Sequence, residues 1–149
     1  MRDFLLKKNL NNELMYVSDL TKGYSLLLEK ETLLTKKYNI QSTDGEQVAS
    51  IDYKHILFEK AKLPQLKIFC RDGHKAVVKR EIEQLCDTIN ISGQGLLVKG
   101  DVFSDKFKLI LNEKYIAIYS WENQSIRVAA DSDNEVLAIA IAFSIELEK

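Results

Sequence analysis

Between Lys36 and Arg80 bulky apolar positions alternate with polar ones, and the pattern repeats. Tyr38-Asn-Ile40, Asp44-Gly45 and Val48-Ala49 recur as Leu66-Lys-Ile68, Asp72-Gly73 and Ala76-Val77, so that 44 becomes 72 at an offset of 28 residues. Asp-Gly between two short alternating runs signals a β-hairpin, because the tight turn needs positive φ, which glycine adopts at little cost. With Asp44-Gly45 as a two-residue loop, Thr43 pairs with Glu46, Ile40 with Ala49 and Tyr38 with Ile51. Asn39, Gln41, Thr43, Glu46 and Ser50 then fall on the outer face. The same offsets in the second hairpin turn Leu66, Ile68, Cys70 and Val77 inward, and Lys67, Phe69, Arg71, His74, Ala76, Val78 and Arg80 outward. A slip of one residue would turn every apolar side chain to water, so the alternation itself specifies the register.

A third pair spans Phe107–Leu111 and Lys114–Ile118 around Asn112-Glu113, with Leu109 opposite Ile116, Phe107 opposite Ile118, and Tyr115 and Tyr119 outward beside Ile110. Further strands are predicted over Leu14–Val17, Tyr24–Leu28, Thr88–Ile91, Leu96–Asp101 and Ser125–Val128, with Ser92-Gly-Gln-Gly95 as a turn. Turn signals are weakest in residues 1–35.

The chain closes on Val136-Leu-Ala-Ile-Ala-Ile-Ala-Phe-Ser-Ile145, a run of ten residues without a charge. Ser132 and Glu135 before it form the S-x-x-E pattern of a capping box, which predicts a helix over 136–145. Alternation of Ile139, Ile141 and Phe143 with Ala138, Ala140 and Ala142 also fits a strand. Crossing a bilayer takes about 20 apolar residues, so no transmembrane span is expected, and an all-apolar helix must be surrounded.

Strands in series followed by one helix exclude a doubly wound parallel sheet. The expected fold is mainly β: one domain over 1–149, a closed antiparallel barrel of about twelve strands enclosing the hydrophobic C-terminal helix. Closure removes sheet edges. The inner wall would hold Tyr38, Ile40, Ile51, Leu66, Ile68, Val77, Phe107, Leu109, Ile116 and Ile118.

Composition adds little. Lys and Arg total 21 against 22 Asp and Glu, giving a formal net charge of −1, so no global field points to nucleic acid, and none is expected as a partner. Met1–Lys8 has no apolar stretch long enough for a secretory signal, which sets the expectation of a cytoplasmic protein. Cys70 and Cys86 lack a C-x-x-C partner and read as buried thiols.

Candidate chemistry is sparse. His55 and His74 have no ligand at metal spacing, so no metal site, cofactor or catalytic residue is assigned. Cys70 and His74 point to opposite faces, against a Cys–His nucleophile. Cys86, in the connection Glu81–Asp87, has no basic neighbour close in sequence to activate it. Gly93-Gln-Gly95 lacks the Lys-Ser/Thr of a phosphate loop. What remains is the outer face of the second hairpin, where Lys67, Arg71, His74 and Arg80 surround Phe69. Cations beside an exposed ring suit an anionic headgroup; the same face fits an ordinary solvated barrel wall. Tyr115 and Tyr119 mark a second candidate surface, for a protein partner or a second copy of the chain; the same residues fit packing beneath the N-terminal 35 residues.

The repeated Y-x-I-x-x-x-D-G-x-x-V units (Tyr38 to Val48 and, less closely, Leu66 to Ala76), Gly100-Asp101 before Phe107-Lys-Leu109, Ala117-Ile-Tyr-Ser-Trp121 and the terminal Ala/Ile segment resemble the LURP-one-related group of the tubby-like superfamily, which also includes tubby and phospholipid scramblase-like domains. The resemblance covers residues 36–149. It implies a barrel of about twelve antiparallel strands threaded by a central hydrophobic helix, and a non-enzymatic module whose ligand class is anionic phospholipid or whose role is regulatory protein interaction. It carries over no binding residue, and Phe143-Ser144 stands where many relatives have an aspartate.

Overall fold

The computed structural model describes residues 1–18, 22–55, 64–83 and 86–148. Twelve strands form one antiparallel sheet: β1 (Arg2–Lys8), β2 (Leu14–Val17), β3 (Gly23–Glu31), β4 (Thr35–Ser42), β5 (Gln47–His55), β6 (Pro64–Cys70), β7 (Lys75–Glu83), β8 (Cys86–Ser92), β9 (Leu96–Lys99), β10 (Lys106–Leu111), β11 (Lys114–Glu122) and β12 (Ser125–Ala130). The order β8-β7-β6-β5-β4-β3-β2-β1-β12-β11-β10-β9 brings the first strand against the last. Arg2 lies opposite Ala130 and Phe4 opposite Val128. The sheet thus curls into a nearly closed barrel, and among the described residues only β8 and β9 face each other without a ladder.

The helix α1 (Glu135–Glu148) follows a 3₁₀ turn over Ser132–Asn134 and is longer than the predicted 136–145. Every residue from Leu137 to Ile145 is buried, the outcome expected of a helix that is apolar all round. The strand reading of this segment fails because barrel strands on all sides supply the burial that a helix of this kind needs. Full burial of each Ile or Phe contributes about 1.5–3 kcal/mol, and Ile139, Ile141, Phe143 and Ile145 are all at 0% exposure. Ser144, the polar residue in the run, returns its hydroxyl to the carbonyl of Ala140 at 2.8 Å, so it adds no unsatisfied group. The cap differs from the expected box. Asp131, not Ser132, accepts from a backbone N–H, that of Asp133 at 3.0 Å, and Glu135 turns to the wall instead.

Turn chemistry decides where the predicted registers hold. At Asp44-Gly45 the Ser42 N–H donates to the Glu46 carbonyl and Gly45 takes φ +86°, a three-residue loop with glycine in the left-handed position. Thr43 therefore does not pair with Glu46; its hydroxyl exchanges bonds with the Gly23 backbone. Ile40–Ala49 and Tyr38–Ile51 still pair, because Val48 forms a bulge between Gln47, opposite Gln41, and Ala49. Asp72-Gly73 makes the same turn, with Gly73 at φ +98° and Cys70 N–H bonded to the His74 carbonyl. That strand has no compensating bulge. Ile68 pairs with Ala76 and Leu66 with Val78, so Ala76 and Val78 are core and Val77 lies outside, the reverse of the expected assignment.

The β10–β11 turn is the two-residue type, with Asn112 at φ 50° and Glu113 at φ 70°. Here a bulge at Ile116 shifts the remainder of β11 by one position, so Leu109 meets Ala117 and Phe107 meets Tyr119. Ile116 is itself buried, and Ile118 moves to the outer face. β1 lies in a stretch where the sequence carries no strand signal, and residues 81–83 and 86–87, expected as a connection, continue β7 and begin β8.

Candidate anion-binding wall

The outer face of β3 to β7 is built from three cross-strand rows that derive directly from the registers. Leu27, Asn39, Ser50, Phe69 and Lys75 form the first; Lys30, Lys37, Asp52, Lys67 and Val77 the second; Thr35, Lys54, Gln65 and Lys79 the third. Six lysines thus share one wall with Glu29, Asp52 and Glu81, in a chain whose formal net charge is −1. Lys37 lies 3.9 Å from Glu29, and Lys79 4.0 Å from Glu81. Lys30, Lys54, Lys67 and Lys75 make no ion pair among the described residues.

Phe69 is 39% exposed at the top of this wall, with the Lys75 ammonium 6.0 Å from its ring centre. An exposed cation over an aromatic face is attracted to it by about 0.5–1 kcal/mol. Phe69, Lys67, His74 and Lys75 border a cavity of about 680 Å³ that runs over the turns at Gly73 and Gly93 to Leu96, Leu111 and Leu137. Gly95 is needed beside it: its φ is +74°, and a Cβ there would collide with Asn112 Oδ1.

Of the five residues singled out from sequence, the structure keeps Lys67 and Phe69 on the wall and His74 at the cavity mouth. His74 is fixed by its own turn, with its N–H 3.0 Å from Asp72 Oδ1 and its ring Nδ1 3.0 Å from Asp72 Oδ2. Arg71 is exposed but engaged with Glu46 across the hairpin ends. Arg80 is not on the outer face: it shares the face of Val78, and its Nη1 donates to the Glu148 carbonyl at 2.9 Å. A cation there stabilises the helix C-terminus, where carbonyls lack intrahelical partners. On β7 the outward positions belong to Lys75, Val77 and Lys79, where Ala76, Val78 and Arg80 were expected. Sequence reasoning also passes over Lys37 and Lys54, although carrying the alternation of Asn39 and Ser50 further along each strand puts both outside.

The second predicted surface divides. Tyr119 is inside, at 0% exposure, stacked on Phe107 with ring centres 4.7 Å apart, and its hydroxyl donates to the Ala138 carbonyl at 2.8 Å. Burial raises its pKa well above the ordinary value. Tyr115 is outside and 43% exposed, in a row with Ile110 and Leu97, and the Lys99 and Lys108 ammonium groups lie 5.8 and 5.2 Å from its ring centre.

Cys70 is buried, and desolvation pushes its thiol from 9.0 up to about 12, so it is a poor nucleophile at neutral pH. The side chains of His55 and Cys86 lie outside the described residues. Among the described residues no group of three or more His, Cys, Asp or Glu side chains converges on a metal-sized site, and no helix is long and apolar enough to cross a membrane. The chain matches no family model, no curated protein and no solved structure.

Proposed function

We propose that this chain is a non-enzymatic, tubby-like module of the LURP-one-related type that binds anionic phospholipid headgroups at a membrane surface through the outer wall of β3 to β7. The observation that carries this reading is that six lysines share one wall, with an exposed phenylalanine at its top. A juxtamembrane basic group contributes about 1 kcal/mol per Lys or Arg near an anionic leaflet, and a ring at the same height enters the interface. The filled interior supports the assignment of function to the exterior, because the helix occupies the lumen with Leu137, Ile139, Ile141 and Phe143. Co-sedimentation with anionic vesicles, compared between the native chain and its Lys67→Glu/Lys75→Glu/Lys79→Glu variant, tests the proposal.

A second reading, a protein-interaction or self-associating module, is favoured by the row Leu97, Ile110 and Tyr115. Leu97 is 64% exposed on β9, which faces the open seam. A complex that persists at high salt and is lost in Leu97→Glu or Tyr115→Glu supports it; a chain that is monomeric at every concentration tested and captures no pull-down partner contradicts it.

A further inference from the structure

We propose that the cavity at the end of the barrel where α1 begins is a binding site for a soluble single-chain amphiphile ending in a carboxylate, its apolar chain over the barrel mouth and its head between Lys67 and Lys75. The hollow measures about 680 Å³, inside the range of about 300–1,000 Å³ in which small-molecule sites fall. The inference does not require the wall to bind membranes: there a bilayer surface meets the lysines, whereas here one apolar chain leaves water for the rim of the barrel.

Topology explains the hollow. In an antiparallel barrel the β6–β7, β8–β9 and β10–β11 connections fall at one end, and β12 delivers α1 to the same end. The helix fills the lumen from Leu137 onward, so the space that remains lies among these turns, lined by Ala76, Leu96, Leu111 and Leu137. Its walls are tied to one another. The Cys70 N–H closes the β6–β7 turn on the His74 carbonyl at 2.8 Å, and the Asn112 N–H donates to the Gly95 carbonyl at 2.9 Å, joining the other two turns. A Cβ at Gly93 would come within 2.8 Å of the Lys75 carbonyl, so the β8–β9 turn also packs on β7. A site formed in advance costs a ligand little ordering.

The lining offers charge at one side and apolar surface at the other. Lys67 is opposite Val77 and Phe69 opposite Lys75, which makes the two lysines diagonal neighbours, about 7–8 Å apart at the backbone. Flexible stems let both ammonium groups reach one head. Among the described residues no Asp or Glu lines the cavity, and the carboxylate of Asp72 nearby is held by His74. A carboxylate therefore gains charge-assisted bonds without a competing anion. Phe69 and Val77 outside the rim, and Leu96, Leu111 and Leu137 beyond it, give its chain an apolar path. A short hydrophilic anion uses only the lysines, and a cationic amphiphile is repelled by them.

Isothermal titration calorimetry of the full chain with sodium decanoate, kept below its micelle concentration, tests the site. One-site binding is expected, tightening about two- to fourfold for each methylene added from hexanoate through octanoate to decanoate, the gain for a buried CH₂. Decyltrimethylammonium, with the same chain and a cationic head, should bind at least about tenfold more weakly. Lys67→Gln/Lys75→Gln should weaken decanoate by about tenfold. Gln94 is exposed on the β8–β9 turn and lines the cavity, so Gln94→Trp should block it and weaken decanoate by a similar factor, with circular dichroism checking both folds. Lys37→Glu/Lys54→Glu, on the wall away from the cavity, should leave binding within about twofold. No heat and no thermal shift with monomeric decanoate overturns the proposal, as does an affinity that ignores chain length, equal binding of the cationic amphiphile, or undiminished binding in either Lys67→Gln/Lys75→Gln or Gln94→Trp. A chain that takes up decanoate but ignores anionic vesicles keeps this site and loses the membrane-binding wall; one that pellets with vesicles but gives no heat with decanoate does the reverse.

Discussion

The Tyr24 hydroxyl donates to Oε1 of Glu135 across 2.6 Å, joining the third strand of the wall to the first residue of the helix. Glu135 is 2% exposed yet fully engaged: Lys22 Nζ lies 3.0 Å from Oε1 and Arg2 Nη1 3.5 Å from Oε2. A carboxylate at a helix N-terminus is favoured by the helix dipole, and here it also gathers β1 and β3 around that end. Tyr24→Phe is expected to destabilise the fold by about 1.5–3 kcal/mol, the range for a hydrogen bond to a charged group. Urea unfolding measures it; a midpoint equal to that of the native chain would mean that the bond holds nothing.

Arg80 does the corresponding work at the other end. Since its guanidinium caps the Glu148 carbonyl, Arg80→Ala should cost about 0.5–2 kcal/mol and leave vesicle binding unchanged at temperatures where the variant is folded. Loss of vesicle binding without loss of stability would return Arg80 to the outer wall.

Stability should fall on the alkaline side. Desolvation and Glu135 raise the Tyr24 pKa above its ordinary 10.0, desolvation and Glu146 raise that of Tyr16, and burial raises that of Tyr119. Cys70 moves from 9.0 to about 12. In each case the folded state holds its proton more tightly than the unfolded chain, so the contribution is complete below the unfolded value and is lost as pH rises toward the folded one. Thermal midpoints should therefore begin to fall above about pH 9, and Tyr24→Phe should flatten that decline. Midpoints that rise through this range would contradict the sign.

The helix core is the most sensitive target. Ile141→Ala, at 0% exposure in the middle of α1, should cost about 2–5 kcal/mol, and Ile141→Asp should prevent folding by burying an unpaired carboxylate. A soluble Ile141→Asp protein with native circular dichroism would show that this residue is not enclosed.

The helix, the barrel and most of the core are legible in the sequence because they depend on composition and period, which a sequence displays directly. Ile40, Ile51, Leu66, Ile68, Phe107 and Leu109 all sit where alternation puts them. The departures arise at turns and bulges. Asp44-Gly45 and Asp72-Gly73 fold alike, but only the first hairpin carries a bulge, at Val48, that restores the simple register. Nothing in the local residues marks that difference, so alternation alone places Val77 and Arg80 on the wrong faces. A bulge at Ile116 does the same to Tyr119. The lysine wall suffers most, because it is assembled from five strands and an error of one residue in β7 exchanges Arg80 for Lys79. β1 escapes for a different reason: its ladder partners are β2 and the distant β12, and the Asn9–Asn12 turn that follows it lacks the Asp-Gly that marks the β4–β5 and β6–β7 hairpins.

The central claim is that the outer wall of β3 to β7 binds anionic membranes, and co-sedimentation with phosphatidylcholine vesicles containing phosphatidylserine tests it most directly. The native chain should pellet with these vesicles at low salt and be released at high salt, since screening shortens the field to about 3 Å at 1 M, and Lys67→Glu/Lys75→Glu/Lys79→Glu should stay in the supernatant while retaining the native thermal midpoint. A native chain that remains soluble beside the vesicles at low salt, or a triple variant that pellets as well as the native chain, would contradict it.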